Sequence, residues 1–97
     1  MRIISRKTLK EFAKRFPDAE GQLDAWFHEV KKAQWQTPAD VKAKYRSASI
    51  LKDSRVVFNV CGNKYRLIVK VSYANGIVLI RFVGTHGDYD KINAEDV

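Results

Sequence analysis

Only two histidines and one cysteine occur in this chain of 97 residues, so few side chains can move protons near neutral pH. His28 lies within a helical pattern and reads as a helix residue with no role. His86 stands in Gly84-Thr85-His86-Gly87-Asp88-Tyr89-Asp90-Lys91, a polar, Gly-flanked turn just after a β-type run that carries Arg81. An imidazole there can serve as acid or base, or it can be an ordinary hydrogen-bonded loop histidine; composition leaves both readings open. His86, Asp88 and Asp90 are close in sequence but lack an established metal-ligand spacing, and Cys61 alone cannot build a zinc site. No Gly-rich phosphate loop, nucleophile elbow or dinucleotide fingerprint is present, so neither a metal nor a cofactor is expected. Any catalysis then falls to His, Tyr, Lys and Arg. That set suits RNA cleavage, in which the substrate's own 2′-hydroxyl attacks while the protein positions the phosphate, stabilises its charge and shuttles protons.

Phosphate-holding cations are concentrated in the stretch 55–91. Three β-type runs, at 55–61, 64–73 and 77–84, are rich in Val, Ile, Phe and Tyr. Gly62-Asn63 and Asn75-Gly76 separate them and are typical two-residue hairpin loops. The reading is a three-strand antiparallel meander. The first loop sets Val60 opposite Tyr65, Asn59 opposite Arg66 and Arg55 opposite Lys70. The second sets Lys70 opposite Arg81, Val69 opposite Phe82 and Arg66 opposite Thr85. Directly opposed residues share a sheet face, and the two registers agree. One face collects Val56, Phe58, Val60, Tyr65, Leu67, Val69, Val71, Val78, Ile80 and Phe82. The other carries Arg55, Asn59, Arg66, Lys70, Arg81 and Thr85, with Val57, Ile68 and Val83 between them. Arg55, Lys70 and Arg81 form a cross-strand row of like charges, which is unfavourable in a sheet, and no acid occurs between Ser54 and Gly87. Either this is a basic solvated face or it is a surface shaped for phosphates.

The rest of the chain has to hold that sheet. Ser5 can cap a helix with Leu9, Phe12, Ala13 and Phe16 on one side and Arg6, Lys7, Lys10, Lys14 and Arg15 on the other; Pro17 ends it. Asp18 can cap a second helix, with Glu20 in its first turn and a stripe of Leu23, Trp26, Phe27, Val30 and Ala33. Thr37-Pro38-Ala39-Asp40 starts a third, short helix ending near Tyr45. Residues 1–4 can add an edge strand and 48–51 a further short one. The class is α+β, with two main N-terminal helices packed on one face of a small, mainly antiparallel sheet and the basic face left open to solvent.

The length suits one domain with one modest core. A net charge of +7 points to a polyanionic partner, most often nucleic acid. The charge is uneven: residues 1–16 carry +5, 17–40 carry −3, 41–81 carry +8 and 82–97 carry −3. No apolar stretch nears the roughly 18 residues that span a bilayer, no signal peptide is visible, and no basic helix shows a wide apolar face, so no membrane partner is expected. One cysteine means no disulfide framework, which suits a cytoplasmic setting.

At two motifs the chain resembles the HigB family of bacterial toxins, within the RelE-type superfamily of mRNA interferases. They are Phe58-Asn59-Val60-Cys61-Gly62-Asn63-Lys64-Tyr65-Arg66-Leu67-Ile68 and Thr85-His86-Gly87-Asp88-Tyr89-Asp90-Lys91-Ile92. The resemblance implies that residues 1–97 form a single HigB-like toxin domain with a RelE-like fold. It implies metal-independent cleavage of mRNA in a translating ribosome, inhibition by a cognate antitoxin of the helix-turn-helix HigA type, and contact with operator DNA only through that antitoxin. Matched residue by residue, it places His86 and Tyr89 near proton transfer and Arg66 on the scissile phosphate. Arg55, Lys64, Lys70, Arg81 and Lys91 fall to RNA binding, while Asn59 and Asn63 can buttress Arg66 or shape the hairpin. A non-catalytic nucleic-acid-binding module and a ribosomal A-site blocker are the alternatives.

Overall fold

The three β-type runs pair as an antiparallel meander, extended on both edges by short strands. In the computed structural model, which describes residues 1–97, the order is β1 (Arg2–Ile4), α1 (Arg6–Arg15), α2 (Glu20–Lys32), α3 (Pro38–Lys44), β2 (Ser49–Ile50), β3 (Arg55–Val60), β4 (Tyr65–Ser72), β5 (Ile77–Thr85) and α4 (His86–Asp90). A 3₁₀ turn, Pro17–Ala19, joins α1 to α2. The sheet runs β1-β5-β4-β3-β2, antiparallel except where β1 joins β5 in parallel.

The two main helices cover one face, as the apolar spacing requires. Leu9, Phe12 and Ala13 of α1 are buried, as are Leu23, Trp26, Phe27 and Val30 of α2. All of these except Ala13 meet Val56, Phe58, Val60, Tyr65, Leu67, Val69, Val71, Val78 and Ile80 in one cluster. Aromatic pairs fix the orientation: Phe12 meets Tyr65 edge-on at 5.2 Å and Trp26 meets Phe58 at 5.4 Å, contacts worth about 0.5–1.5 kcal/mol each beyond area burial.

The first hairpin has the expected register, Val60 with Tyr65 through Arg55 with Lys70. The second does not. Ser72 pairs with Ile77, so residues 73–76 form the connection, and Lys70 lies across from Leu79 rather than Arg81. Tyr73 is drawn into the turn, Gly76 takes a left-handed φ of 65°, and Asn75 Nδ2 donates to Ser72 Oγ at 2.9 Å. The register then slips once more, because Val69 pairs with Ile80 while Ile68 pairs with Phe82. Arg81 is the extra residue of a β-bulge. Below it Val78 and Ile80 face the helices; beyond it the alternation is inverted. Phe82, expected on the apolar face, shares the outer face with Arg66 and Gly84, and Thr85 lies opposite Tyr65 instead of Arg66.

Three further expectations are corrected. Ser5 sits in left-handed backbone (φ 76°) and caps α1 with no side-chain hydrogen bond. Asp18 does not cap α2, because its carboxylate is taken by residues of the sheet. The outer face is not left open either: Arg55, Val57 and Ile68 are buried on it, beneath chain that follows β5. The signal at Thr37 holds, with the Asp40 carboxylate accepting from the Gln36 and Thr37 N–H groups at 2.8 and 3.2 Å.

Candidate active site

The site lies where β4 begins and β5 ends. Cys61 and Gly62, with φ of 53° and 68°, turn the β3–β4 hairpin so that Lys64, Tyr65 and Arg66 leave it in sequence. Across from them β5 passes into α4 at Thr85, whose hydroxyl accepts from the Asp88 N–H at 3.1 Å and caps the short helix. The turn expected around His86 is thus the first residue of a helix. The His86 N–H donates to the Lys64 carbonyl at 3.0 Å, which fastens α4 to the end of the hairpin turn just before β4.

Arg66 and Tyr89 then converge. The Arg66 guanidinium lies 5.6 Å from the centre of the Tyr89 ring, and its Nη1 donates to the Asn63 carbonyl at 3.0 Å. Asn59 does not buttress it; the Asn59 side chain reaches the Ser47 carbonyl at 3.4 Å. His86 is exposed, with Nε2 3.4 Å from a carboxylate oxygen of Asp90 one turn along. Gly84, opposite Arg66, makes this close packing feasible, because a Cβ there would lie 2.6 Å from Phe82 Cζ and 3.3 Å from Asp88 Cβ.

Behind this cluster is a clamp with no local sequence signal. Asp18, in the turn between α1 and α2, accepts from Lys64 Nζ and, at 2.7 Å, from the Tyr65 hydroxyl. The hydrogen bond from Lys64, then that from Tyr65, holds the Asp18 carboxyl below the usual carboxylate range. The same contacts push the Lys64 ammonium and the Tyr65 phenol up. Gln22 Oε1 accepts from the Cys61 N–H at 2.8 Å, and Cys61 Sγ meets the Asp18 carbonyl at 3.4 Å. The helical layer thereby grips the hairpin that carries Arg66. The partners are 39 to 47 positions apart, beyond the reach of any periodicity argument.

The cations separate into distinct groups. Lys70 and Lys91 are exposed and carry no ion pair. Lys64 is held by Asp18. Arg55 is only 8% exposed, and its Nε donates to the Val97 main-chain oxygen, as does that of exposed Arg81. Lys70 and Arg66 are both on β4, roughly 13 Å apart at about 3.3 Å per residue. The arrangement therefore offers an arginine, an aromatic hydroxyl and an imidazole at one end of a face, with further cations toward the other.

Comparison with known proteins agrees with this geometry. The family described as "HigB_toxin, RelE-like toxic component of a toxin-antitoxin system" matches residues 19–92. The chain is 33% identical over 96 residues to the mRNA interferase toxin HigB of Escherichia coli strain K12, covering 97% of this chain and 92% of that protein. It shows the same identity and coverage with the mRNA interferase HigB of Shigella flexneri. With the mRNA interferase HigB of Escherichia coli O6:H1 it is 24% identical over 94 residues, covering 95% of this chain and 91% of the relative. The matched residues contain β3, β4, β5 and α4 with both motifs, and on that ground the chain belongs to the HigB family of RelE-like toxins of toxin–antitoxin systems.

Proposed function

We propose that the chain is an endoribonuclease toxin that halts translation by cutting mRNA in the ribosome. The contact of Arg66 on β4 with Tyr89 on α4, with His86 at the start of that helix beside Lys64, carries this reading. In the reaction the substrate's 2′-oxygen attacks the adjacent phosphorus; a new O–P bond forms and the bond to the 5′-oxygen breaks. The products are a 2′,3′-cyclic phosphate and a free 5′-hydroxyl. Arg66 faces the charge that grows on the non-bridging oxygens, where a fixed donor lowers the barrier most. His86 and Tyr89 take the proton from the 2′-hydroxyl and deliver one to the leaving oxygen. Arg55, Lys64, Lys70, Arg81 and Lys91 serve the flanking phosphates.

The partner that silences it is a cognate antitoxin, for which we propose the helix-turn-helix HigA type, with operator DNA reached through that partner and action in the cytoplasm. No helix is long and apolar enough to cross a membrane. The test is to map mRNA 5′ ends after brief induction. New ends inside coding regions, on translated but not naked transcripts, are expected. Growth arrest without new ends would make the chain a blocker of the A site instead.

A further inference from the structure

Residues 92–97, after α4, return across the outer face of the sheet and end on two arginines. One oxygen, the main-chain oxygen of Val97, accepts from Arg55 Nε at 2.9 Å and from Arg81 Nε at 3.2 Å. These side chains come from β3 and β5, with β4 between them; the bulge at Arg81 allows both to reach one point. Lys70 is paired with Arg55 on the intervening strand. No side-chain carboxylate lies within ion-pair distance of Arg55, Lys70 or Arg81. The Asp96 carboxylate is engaged elsewhere, where its Oδ2 accepts from Asn93 Nδ2 at 2.9 Å. Arg55 is the one charged residue among the buried set, and its other acceptor is the Asp53 carbonyl at 3.5 Å. A guanidinium withdrawn from water in this way is held by hydrogen bonds to oxygen that the oxygens of a phosphodiester could equally supply.

We propose that Arg55 and Arg81 form a phosphodiester site that residues 92–97 fill in the RNA-free protein and leave when RNA binds. The inference rests on reading this face as the RNA-binding surface. A strand whose reacting phosphate meets Arg66 runs along β4 past Lys70, and its next phosphates arrive where the Val97 oxygen sits. The segment and the RNA therefore compete for the same two N–H donors. Binding includes the cost of releasing the segment.

The test uses the full chain and a short single-stranded oligonucleotide with 2′-O-methyl sugars, which has no nucleophile and is not cut. In ¹⁵N NMR, saturation is expected to shift Arg66 and Tyr89, to loosen the amides of residues 95–97, and to leave the Arg55 and Arg81 Nε–H signals protected, now coupled to phosphorus. Arg81→Gln, at an exposed position, should weaken oligonucleotide binding about tenfold. If Arg66 and Tyr89 shift while residues 95–97 keep their order and both Nε–H signals are unmoved, this inference falls and the nuclease reading stands. Unchanged affinity of Arg81→Gln would also overturn it. An oligonucleotide that shifts nothing overturns this inference and leaves the ribosome-dependent nuclease reading to the mapping of mRNA ends.

Discussion

The guanidinium of Arg66 lies 5.6 Å from the centre of the Tyr89 ring, so the cation and the aromatic hydroxyl belong to one unit. Such a contact is worth about 0.5–1 kcal/mol at an exposed position. That matters because α4 is five residues long and buries none of them. Its attachment depends on this contact, the Thr85 cap and the N–H of His86. Few interactions hold the helix, and it belongs to the easily opened part of the molecule.

Tyr89 supplies a ring and a hydroxyl, which two variants separate. Tyr89→Phe keeps the ring against Arg66 and removes the proton. It should leave the melting temperature unchanged and lower cleavage of ribosome-bound mRNA about 10²-fold. Tyr89→Leu should lower cleavage further and broaden the Arg66 Nε signal. Full activity in Tyr89→Phe would confine the residue to holding Arg66.

His86 contributes to the fold through its main-chain N–H, which donates to Lys64. His86→Gln keeps that bond, so the variant should melt with the parent while cleavage falls by roughly 10²-fold or more. A stably folded and fully active His86→Gln protein would take the imidazole out of the reaction.

The Asp18 clamp has a definite pH signature. The Asp18 carboxyl is depressed by Lys64 and Tyr65, so its stabilisation is present above the unfolded value, about pH 4. It is lost as pH falls through the lower folded value. Lys64 and Tyr65 are raised; their share is present below the unfolded values, about pH 10, and lost as pH rises through the folded ones. Asp18→Asn should therefore lower the melting temperature across the neutral range, with the deficit narrowing toward both extremes. A deficit independent of pH would mean that Asp18 acts by packing.

The core and the first hairpin were legible because a one-residue error there would turn charged residues inward. The second hairpin was not. Asn75-Gly76 is a genuine turn signal, but nothing local shows that the turn begins at Tyr73, or that an extra residue at Arg81 inverts the end of β5. Phe82 was assigned inward by simple alternation, which a bulge breaks. His86, Arg66 and Tyr89 were named from motifs; the structure adds the contact between Arg66 and Tyr89 and sets His86 at the start of the same helix as Tyr89. Asp18 and residues 92–97 were missed because their partners are remote in sequence.

Lys70 is exposed, opposite Arg55, and has no acidic partner. Opposed like charges cost about 0.2–1 kcal/mol. Lys70→Thr should leave the melting temperature unchanged or raised, weaken RNA binding and lower its dependence on salt. A less stable variant with unaltered affinity would show that Lys70 supports the fold.

Gly84 has ordinary backbone, so its constraint is one of space. In Gly84→Ala the new methyl would sit 2.6 Å from Phe82 Cζ and 3.1 Å from Cε1, and the ring must move. Overpacking of this kind costs about 1–3 kcal/mol. Thermal melting should report that loss, with reduced cleavage from a displaced α4. Joint replacement with Phe82→Leu should restore stability; a failure to do so would place the strain in α4.

The bulge also decides how β5 can change over evolutionary time. Side chains alternate with a period of two, and Arg81 alters the parity of everything after it. Substitution at 81 removes a cation and little else. Deletion of that one residue would leave Phe82 and Gly84 outward, Val83 inward and α4 on its present side of the sheet, because Ile80 and Phe82 already oppose consecutive residues of β4. What the deletion would remove is the cation and the local twist of the bulge. In this strand a single lost codon at 81 is absorbed, and the bulge is the place where β5 can shorten without turning its side chains over.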